Sequence, residues 1–168
     1  EASFKNAKFW SNANHWDWAT NPNPREKASF LKENILPLKE SGQLNFIDVP
    51  TNGNLVENSP HGFDILFVDG HTDKQMLPII TYKGEKIVYI ADLIPTVGNI
   101  PLIYIIGYDT RPLLTIEEKD HFFFFFFEND YILFFEHDHV NELATIKLTE
   151  KGFRLDQTYS FSEVFDSF

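Results

Sequence analysis

A mixed α/β (α+β) chain, with helices packed against a mixed sheet, is what the sequence predicts, and three patterns predict it. Short, almost wholly apolar runs bounded by polar residues, Ile65–Val68, Ile87–Ala91 and Tyr131–Phe135, have the length and composition of buried strands. Two stretches, one reaching Leu38 and one beginning at Thr115, carry helical spacing or a helix-start signal. Two more segments pivot on a central Lys-Gly pair between apolar arms, as hairpins do.

Taken in order, Ala7–Trp10 reads as a short strand. In Asn23-Pro24 and the following REKASFLKENILPLKES, residues Phe30, Leu31, Ile35 and Leu38 fall near a 3.6 period and Pro24 suits a first turn, so one helix is expected there. Pro37 is expected to kink or end it and Gly42 to stop it. Leu44–Val49 is the next strand, and Pro50–Pro60, rich in Asn, Gly, Ser and Pro, is a loop. Met76–Ala91 forms a hairpin turning at Lys83-Gly84. Leu93–Arg111, broken by Pro95, Gly98, Pro101 and Gly107, is a loop with short helical turns.

Thr115-Ile-Glu-Glu118 fits a capping box and predicts a helix through about Phe127. After the Tyr131–Phe135 strand, Ala144–Phe161 forms a hairpin turning at Lys151-Gly152. There Ile146, Leu148, Phe153 and Leu155 suggest one packed face. The six consecutive phenylalanines Phe122–Phe127 would point in all directions on a helix, where a surface helix needs one apolar stripe. Such a run is read as uncertain residue identity and is assigned no function.

Each of the three strand-like runs ends on a metal-type ligand: Asp69-Gly70-His71, Asp92 and Glu136-His137. Singly, these are a strand-ending turn, a cap or turn residue and a solvent-facing histidine. Jointly, they deliver imidazole and carboxylate, the donors that zinc, iron or manganese accept, to one rim. The chain has no cysteine, so no thiolate competes and no disulfide framework exists.

Composition narrows the remaining classes. The 168 residues suit one domain, 1–168. A net charge of −11 and a pI near 4.8 argue against a sequence-independent grip on nucleic acid, which needs clustered Lys and Arg. There is no apolar stretch of about 20 residues to span a membrane and no signal pattern. The cytoplasm is the default compartment, with the periplasm or secretion as alternatives.

The strings VDGHTD (Val68–Asp73), IADLIP (Ile90–Pro95) and FFEHD (Phe134–Asp138), in that order, resemble the third, fourth and fifth metal-binding motifs of the metallo-β-lactamase superfamily. The segments FWSNANHWDWATNPNPREKASFLKENILPLKESGQLNFI and GYDTRPLLTIEEK also look like bacterial hydrolases of this fold, so the resemblance covers most of the chain. It implies an αβ/βα sandwich of which this chain is the C-terminal part. It implies two divalent ions, zinc first, with iron or manganese as alternatives. His71 would bind one ion and His137 the other, with Asp92 bridging them as the catalytic carboxylate. A metal-bound hydroxide, formed because the ion lowers the pKa of water towards about 7, would attack a small carbonyl substrate such as a lactone, an ester or an amide ring. Lys74 departs from the small residue, often glycine, that many relatives carry after Gly-His-Thr.

Beside that resemblance, Tyr104 and Tyr108 are candidates for shaping a substrate pocket and Arg111 for holding a carboxylate; packing under the loop is the competing reading. The superfamily's H-x-H-x-D-H signature is absent, and the sole H-x-H is His137-Asp138-His139. His139 reads as a loop residue, and His15 and His61 as packing and turn residues. One histidine and a shared carboxylate per ion fall short of the usual three protein ligands. The remaining ligands are therefore expected from an upstream N-terminal segment. The chain alone is expected to be inactive and, with half a sandwich's sheet uncovered, poorly soluble or a homo-oligomer. The rival is a non-catalytic binding or structural subunit of the same fold with an incomplete metal centre.

Overall fold

Local side-chain hydrogen bonds decide the first third of the chain. In a computed structural model describing residues 4–166, β1 (Phe9–Ser11) leads into α1 (Ala13–Thr20), followed by α2 (Lys32–Glu40) and by β2 (Leu44–Phe46), which pairs parallel to β1. Asn12 caps α1, its side chain accepting from His15 N at 2.8 Å. This helix was not foreseen, because Asn, His, Trp, Asp and Thr are mediocre helix formers. The expected helix after Pro24 begins only at Lys32. Upstream of it, Asn23 Oδ1 takes the amides of Arg25 (2.9 Å) and Glu26 (3.1 Å), and Glu26 takes the Trp18 indole N–H at 3.1 Å. Such bonds offer the backbone an alternative to helix. Pro37 lies inside α2 without ending it, and Gly42, at φ +74°, stops it. The strand expected over Leu44–Val49 is the shorter β2. These elements belong to one compact unit, Glu1–Gly53, and the rest of the chain forms a second, Asn54–Phe168.

The second unit is built on seven strands in sequential order: β3 (Leu55–Val56), β4 (Asp64–Val68), β5 (Gln75–Tyr82), β6 (Glu85–Tyr89), β7 (Ile132–Phe134), β8 (Leu143–Thr149) and β9 (Gly152–Tyr159). Every neighbouring pair is antiparallel except β6 and β7. A parallel pair requires a crossover, and here the crossover carries α3 (Pro112–Glu128). The topology has one consequence for chemistry. Strands β4 and β6 are each antiparallel to β5, and β7 is parallel to β6, so the C-terminal ends of β4, β6 and β7 lie along the same edge.

The β5–β6 hairpin turns at Lys83 (φ +50°) and Gly84 (φ +88°), the left-handed pair that a two-residue hairpin loop demands. Helix α3 lays Phe122, Phe123 and Phe126 into a core with Leu66, Val68, Val88, Leu133, Ala144 and Ile146. The phenylalanine run thus has one buried stripe. Phe124 and Phe127 stay partly exposed, each meeting Phe153 with ring centroids 4.9 and 5.7 Å away. On the opposite sheet face, Ile87, Ile132 and Leu143 pack with Phe165 of α4 (Phe161–Phe165). That short helix starts with a reciprocal capping box, Ser160 with Glu163. The box expected at Thr115 is not one. Helix α3 begins a turn earlier with Pro112, and Thr115 N already donates to Arg111 O at 3.0 Å. Of the final hairpin's predicted inward set, Ile146 and Phe153 are buried and Leu148 is exposed. No helix among the described residues is long and apolar enough to cross a membrane.

The tightest joint between helix and sheet is at Gly70. A Cβ there would lie 2.3 Å from Thr115 Oγ1 and 2.6 Å from Thr115 Cα and N, so only glycine lets α3 approach the chain leaving β4. Gly70→Ala should cost at least the roughly 1–3 kcal/mol typical of overpacking. Gly107→Ala, where nothing lies within 4 Å, should cost under about 1 kcal/mol. Urea denaturation of the two variants checks this; equal midpoints would contradict it.

Candidate metal centre

Three loops converge at the edge where β4, β6 and β7 end. After β4 the chain turns through Asp69 and Gly70, whose amides donate to the two oxygens of the Glu118 carboxylate at 2.6 and 2.9 Å. Glu118 sits on α3 and is 7 % exposed. Its burial pushes the carboxyl up from its usual range, against the pull of those two amides and of the Lys74 charge. Lys74 stands at φ +51°, a conformation that favours glycine. It is held there by Asp69, which accepts from Lys74 N at 2.9 Å and from Nζ at 2.6 Å. The departure from a small residue is thus accommodated by an ion pair that closes the turn.

His71 follows. Its Nδ1 lies 3.0 Å from Asp109 Oδ1, and a carboxylate accepts only, so that nitrogen carries the proton. Nε2 then faces Asp92 Oδ2 at 3.5 Å. The other Asp92 oxygen, Oδ1, lies 3.1 Å from His137 Nε2. Asp92 therefore stands between two imidazoles with one oxygen towards each. It sits in the 3₁₀ turn Ala91–Leu93 just past β6, where Ala91 adopts φ +44° and Ile90 N is tied to Phe134 O at 3.0 Å. A left-handed alanine costs about 1–2 kcal/mol, and the turn it makes swings Asp92 out of the strand direction. Gln75 Nε2 donates to Asp92 Oδ2 at 3.0 Å.

The sequence reading named His71, Asp92 and His137, and the structure brings all three together. Around them stand Glu136, which the sequence places beside His137 at the same strand end, and three residues with no place in the sequence pattern of ligands. Asp109, 3 % exposed, backs His71; its other oxygen is buried with no hydrogen-bond partner among the described residues. Lys119, 1 % exposed, donates to the carbonyls of Asn99 (2.6 Å), Pro101 (3.0 Å) and Tyr104 (3.0 Å). Burial pulls its ammonium down to about 8, while the nearby Asp109 charge pulls it up. Asp138 accepts the amides of Val97, Val140 and Asn141 and the Asn141 side chain, all at 2.9–3.1 Å. Partial burial raises its pKa, but these bonds outweigh that and hold it at about 2. Glu136 groups with Asp92 and His137, with one donor atom from each of the three within 4.8 Å of the others. Glu136 and Asp138 flank His137 in the sequence, whereas Asp109 and Lys119 depend on contacts between distant segments.

Tyr104 and Tyr108 are exposed, at 57 % and 77 %, so neither ring packs under the loop. Arg111 is engaged by the chain itself: Nη2 meets Asp73 Oδ1 at 2.9 Å and Nη1 donates to Asp69 O. His139 is exposed, His15 meets Phe30 edge-on, and His61 stacks on Phe63.

No family model and no curated protein matches the chain. Solved structures do, and the chain shares its fold with them. A probable metal-dependent hydrolase from Staphylococcus aureus superposes with a TM-score of 0.75 at 24 % identity, over 94 % of this chain and 53 % of its own. The hydrolase AbOPH of the beta lactamase superfamily gives 0.72 at 18 % identity, over 95 % and 57 %. AidC, a dizinc quorum-quenching lactonase solved with a product, N-hexanoyl-L-homoserine, gives 0.66 at 20 % identity, over 96 % and 57 %. The chain thus spans a little over half the length of these structures.

Two measurements test the supporting residues. Removing the partner of a ligand histidine typically weakens metal binding about 10–100-fold. Asp109→Ala should do so, as read by chelator competition, and an unchanged affinity would deny Asp109 that role. For Lys119, with a folded value near 8 against 10.5 when free, the unfolded chain binds the extra proton between those values, so Lys119 makes stability rise with pH there. The stability of the parent protein minus that of Lys119→Met should grow from pH 8 to 10 in urea melts. A flat difference would contradict the burial effect.

Proposed function

We propose that this chain supplies the C-terminal part of the metal centre of a metal-dependent hydrolase acting on a small carbonyl substrate, a lactone or another ester or amide ring. His71, Asp92 and His137 are its metal ligands. The observation that carries the reading is the position of Asp92, with one oxygen towards each of two imidazoles, one of which is fixed in tautomer by a buried aspartate. Two acceptors facing each other, His71 Nε2 and Asp92 Oδ2, are reconciled by a proton or a cation, and an N/O donor set suits zinc, iron or manganese. The hydrolase and lactonase neighbours support the same class.

When bound, two divalent ions would supply Lewis acidity that activates water and polarises the substrate carbonyl. The chain's own residues do the positioning. Asp92 offers both oxygens and thereby favours a close pair of cations. Asp109 holds the proton of His71 at Nδ1 and leaves Nε2 for coordination. Lys119 holds the Asn99–Tyr104 loop, so the exposed rings of Tyr104 and Tyr108 can wall the approach for the apolar part of a substrate. Within this chain His71 shares one carboxylate, fewer than the three protein ligands a catalytic zinc takes; we propose that an N-terminal segment provides the rest.

The test is a comparison of three variants of the full-length enzyme. Asp92→Ala should lower turnover of a lactone by on the order of 10³-fold or more, given that metal polarisation contributes several kcal/mol, and should deplete both metal positions. His71→Ala and His137→Ala should each deplete mainly one. Metal analysis beside turnover decides. Asp92→Ala protein with two ions and near-native turnover would end the bridging assignment.

A further inference from the structure

Within the proposed centre the two halves are unequally furnished. On the His71 side, the imidazole meets one oxygen of Asp92 and is backed by Asp109. On the His137 side, a third donor is present: Glu136, the residue before the histidine, brings a carboxylate oxygen within 4.8 Å of both the Asp92 and His137 donor atoms. Donors bound to one small divalent cation at about 2.0–2.2 Å stand roughly 3–4 Å apart, and the Asp92–His137 separation of 3.1 Å already meets that.

Two features argue that Glu136 is placed rather than loose. The Tyr89 hydroxyl, at the end of β6, stands near the Glu136 carboxylate, whose influence adds to burial in pushing the phenol up to about 12, so the phenol is placed to donate to it. Tyr89 is itself braced in the sheet, paired in register with Phe134 and packed edge-on against that ring at 5.5 Å. A phenol that donates to a carboxylate fixes which oxygen turns to the cation, the role that outer partners of ligand carboxylates fill. The loop is also pinned one residue beyond His137, where Asp138 gathers three backbone amides. Glu136 and His137 therefore leave β7 from a rigid base on both sides.

We propose that Glu136 is a third protein ligand, with Asp92 and His137, for a single divalent cation, and that the Tyr89 hydroxyl orients it. This deepens the metal-centre reading and rests on it. The arrangement makes the His137 half the tighter position from this chain's own residues and leaves the His71 half to depend on ligands from elsewhere. The cation is of the borderline kind, zinc or cobalt, that takes mixed N/O donors.

The experiment uses the full-length protein, stripped of metal and titrated with Co²⁺ against a chromophoric chelator, with the visible absorption of the bound ion recorded alongside. Glu136→Gln should weaken one of two positions by on the order of 100-fold, beyond the 10-fold effect expected when only the supporting partner is lost in Tyr89→Phe. It should also change the absorption of that position. His139→Ala, the neighbouring exposed histidine outside the cluster, should alter neither. Because Glu136 is exposed, the metal-free melting temperature should stay unchanged, which a merely structural role would not require. Binding of Co²⁺ by Glu136→Gln indistinguishable from the parent, while Asp92→Ala loses it, would overturn the proposal and leave the metal centre standing. Absence of Co²⁺ binding by the parent itself would overturn both. A Glu136→Gln defect in a protein that hydrolyses no lactone would keep this site and remove the hydrolase reading instead.

Discussion

Helix α3 reaches the end of β4 with no side chain between them, because Gly70 lies against the backbone of Thr115, and the rest of the site is built from that contact. The close approach brings Glu118, one turn along the helix, to the two amides that β4 leaves unpaired as it ends. A buried carboxylate is costly unless it is hydrogen-bonded, and these amides are what make its burial tolerable. The next residue on the same helix, Lys119, does the converse. It buries an ammonium against three carbonyls of the loop that follows Asp92. Two consecutive side chains of opposite charge thus fix two of the three loops at the rim, one through its donors and one through its acceptors. The third loop, with His137, is fixed by Asp138, whose carboxylate takes Val97 N from the second loop. The three loops are bound into one frame before any ion is considered.

Much of this was legible in the sequence, for a definite reason. Strand ends announce themselves when an apolar run meets a charged or imidazole residue, and β4, β6 and β7 all do so. Their shared edge follows from sheet direction, and His71, Asp92 and His137 meet there. The Lys83-Gly84 hairpin was legible because left-handed turn positions leave few choices of residue. What failed were signals that depend on competition. Thr115–Glu118 has the spacing of a capping box, yet Pro112 at the first turn begins the helix sooner and frees Glu118 for β4. Ser160–Glu163 has the same spacing and is a true box. Spacing alone cannot separate them, since the difference lies in what each glutamate finds nearby. The helix expected from Pro24 was shortened in the same way by Asn23 and Glu26.

Asp109 and Lys119 were illegible for another cause. Both are buried charges whose meaning rests on pairing across the fold, Asp109 with His71 and Lys119 with carbonyls 15 to 20 residues away in sequence. A pattern of hydrophobic period does not report such residues, since each interrupts the period it sits in. The phenylalanine run is the reverse case: its composition obscures a periodicity that the fold restores. Three of its rings enter the core, and two of the others meet Phe153 edge-on.

The distribution of charge along the rim closes the argument. The chain carries a formal charge of −11, and acids crowd this edge: Asp69, Asp73, Asp92, Asp109, Glu118, Glu136 and Asp138. Most are matched within the chain. Asp69 has Lys74, Asp73 has Arg111, Glu118 and Asp138 have backbone amides, and Asp109 has the His71 proton and the Lys119 charge close by. Asp92 and Glu136 are matched differently. Asp92 receives one amide N–H from Gln75 and otherwise faces imidazole nitrogens; Glu136 has the Tyr89 phenol near it. Neither has an opposing lysine or arginine among the ion pairs of the described residues. Like charges held this close repel, and arranging them beside two imidazoles is unfavourable unless positive charge joins them. The frame set by Gly70, Glu118 and Lys119 thus holds rigid, at one strand-end edge, an anionic pair with nitrogen donors around it, which is the electrostatic complement of a divalent cation.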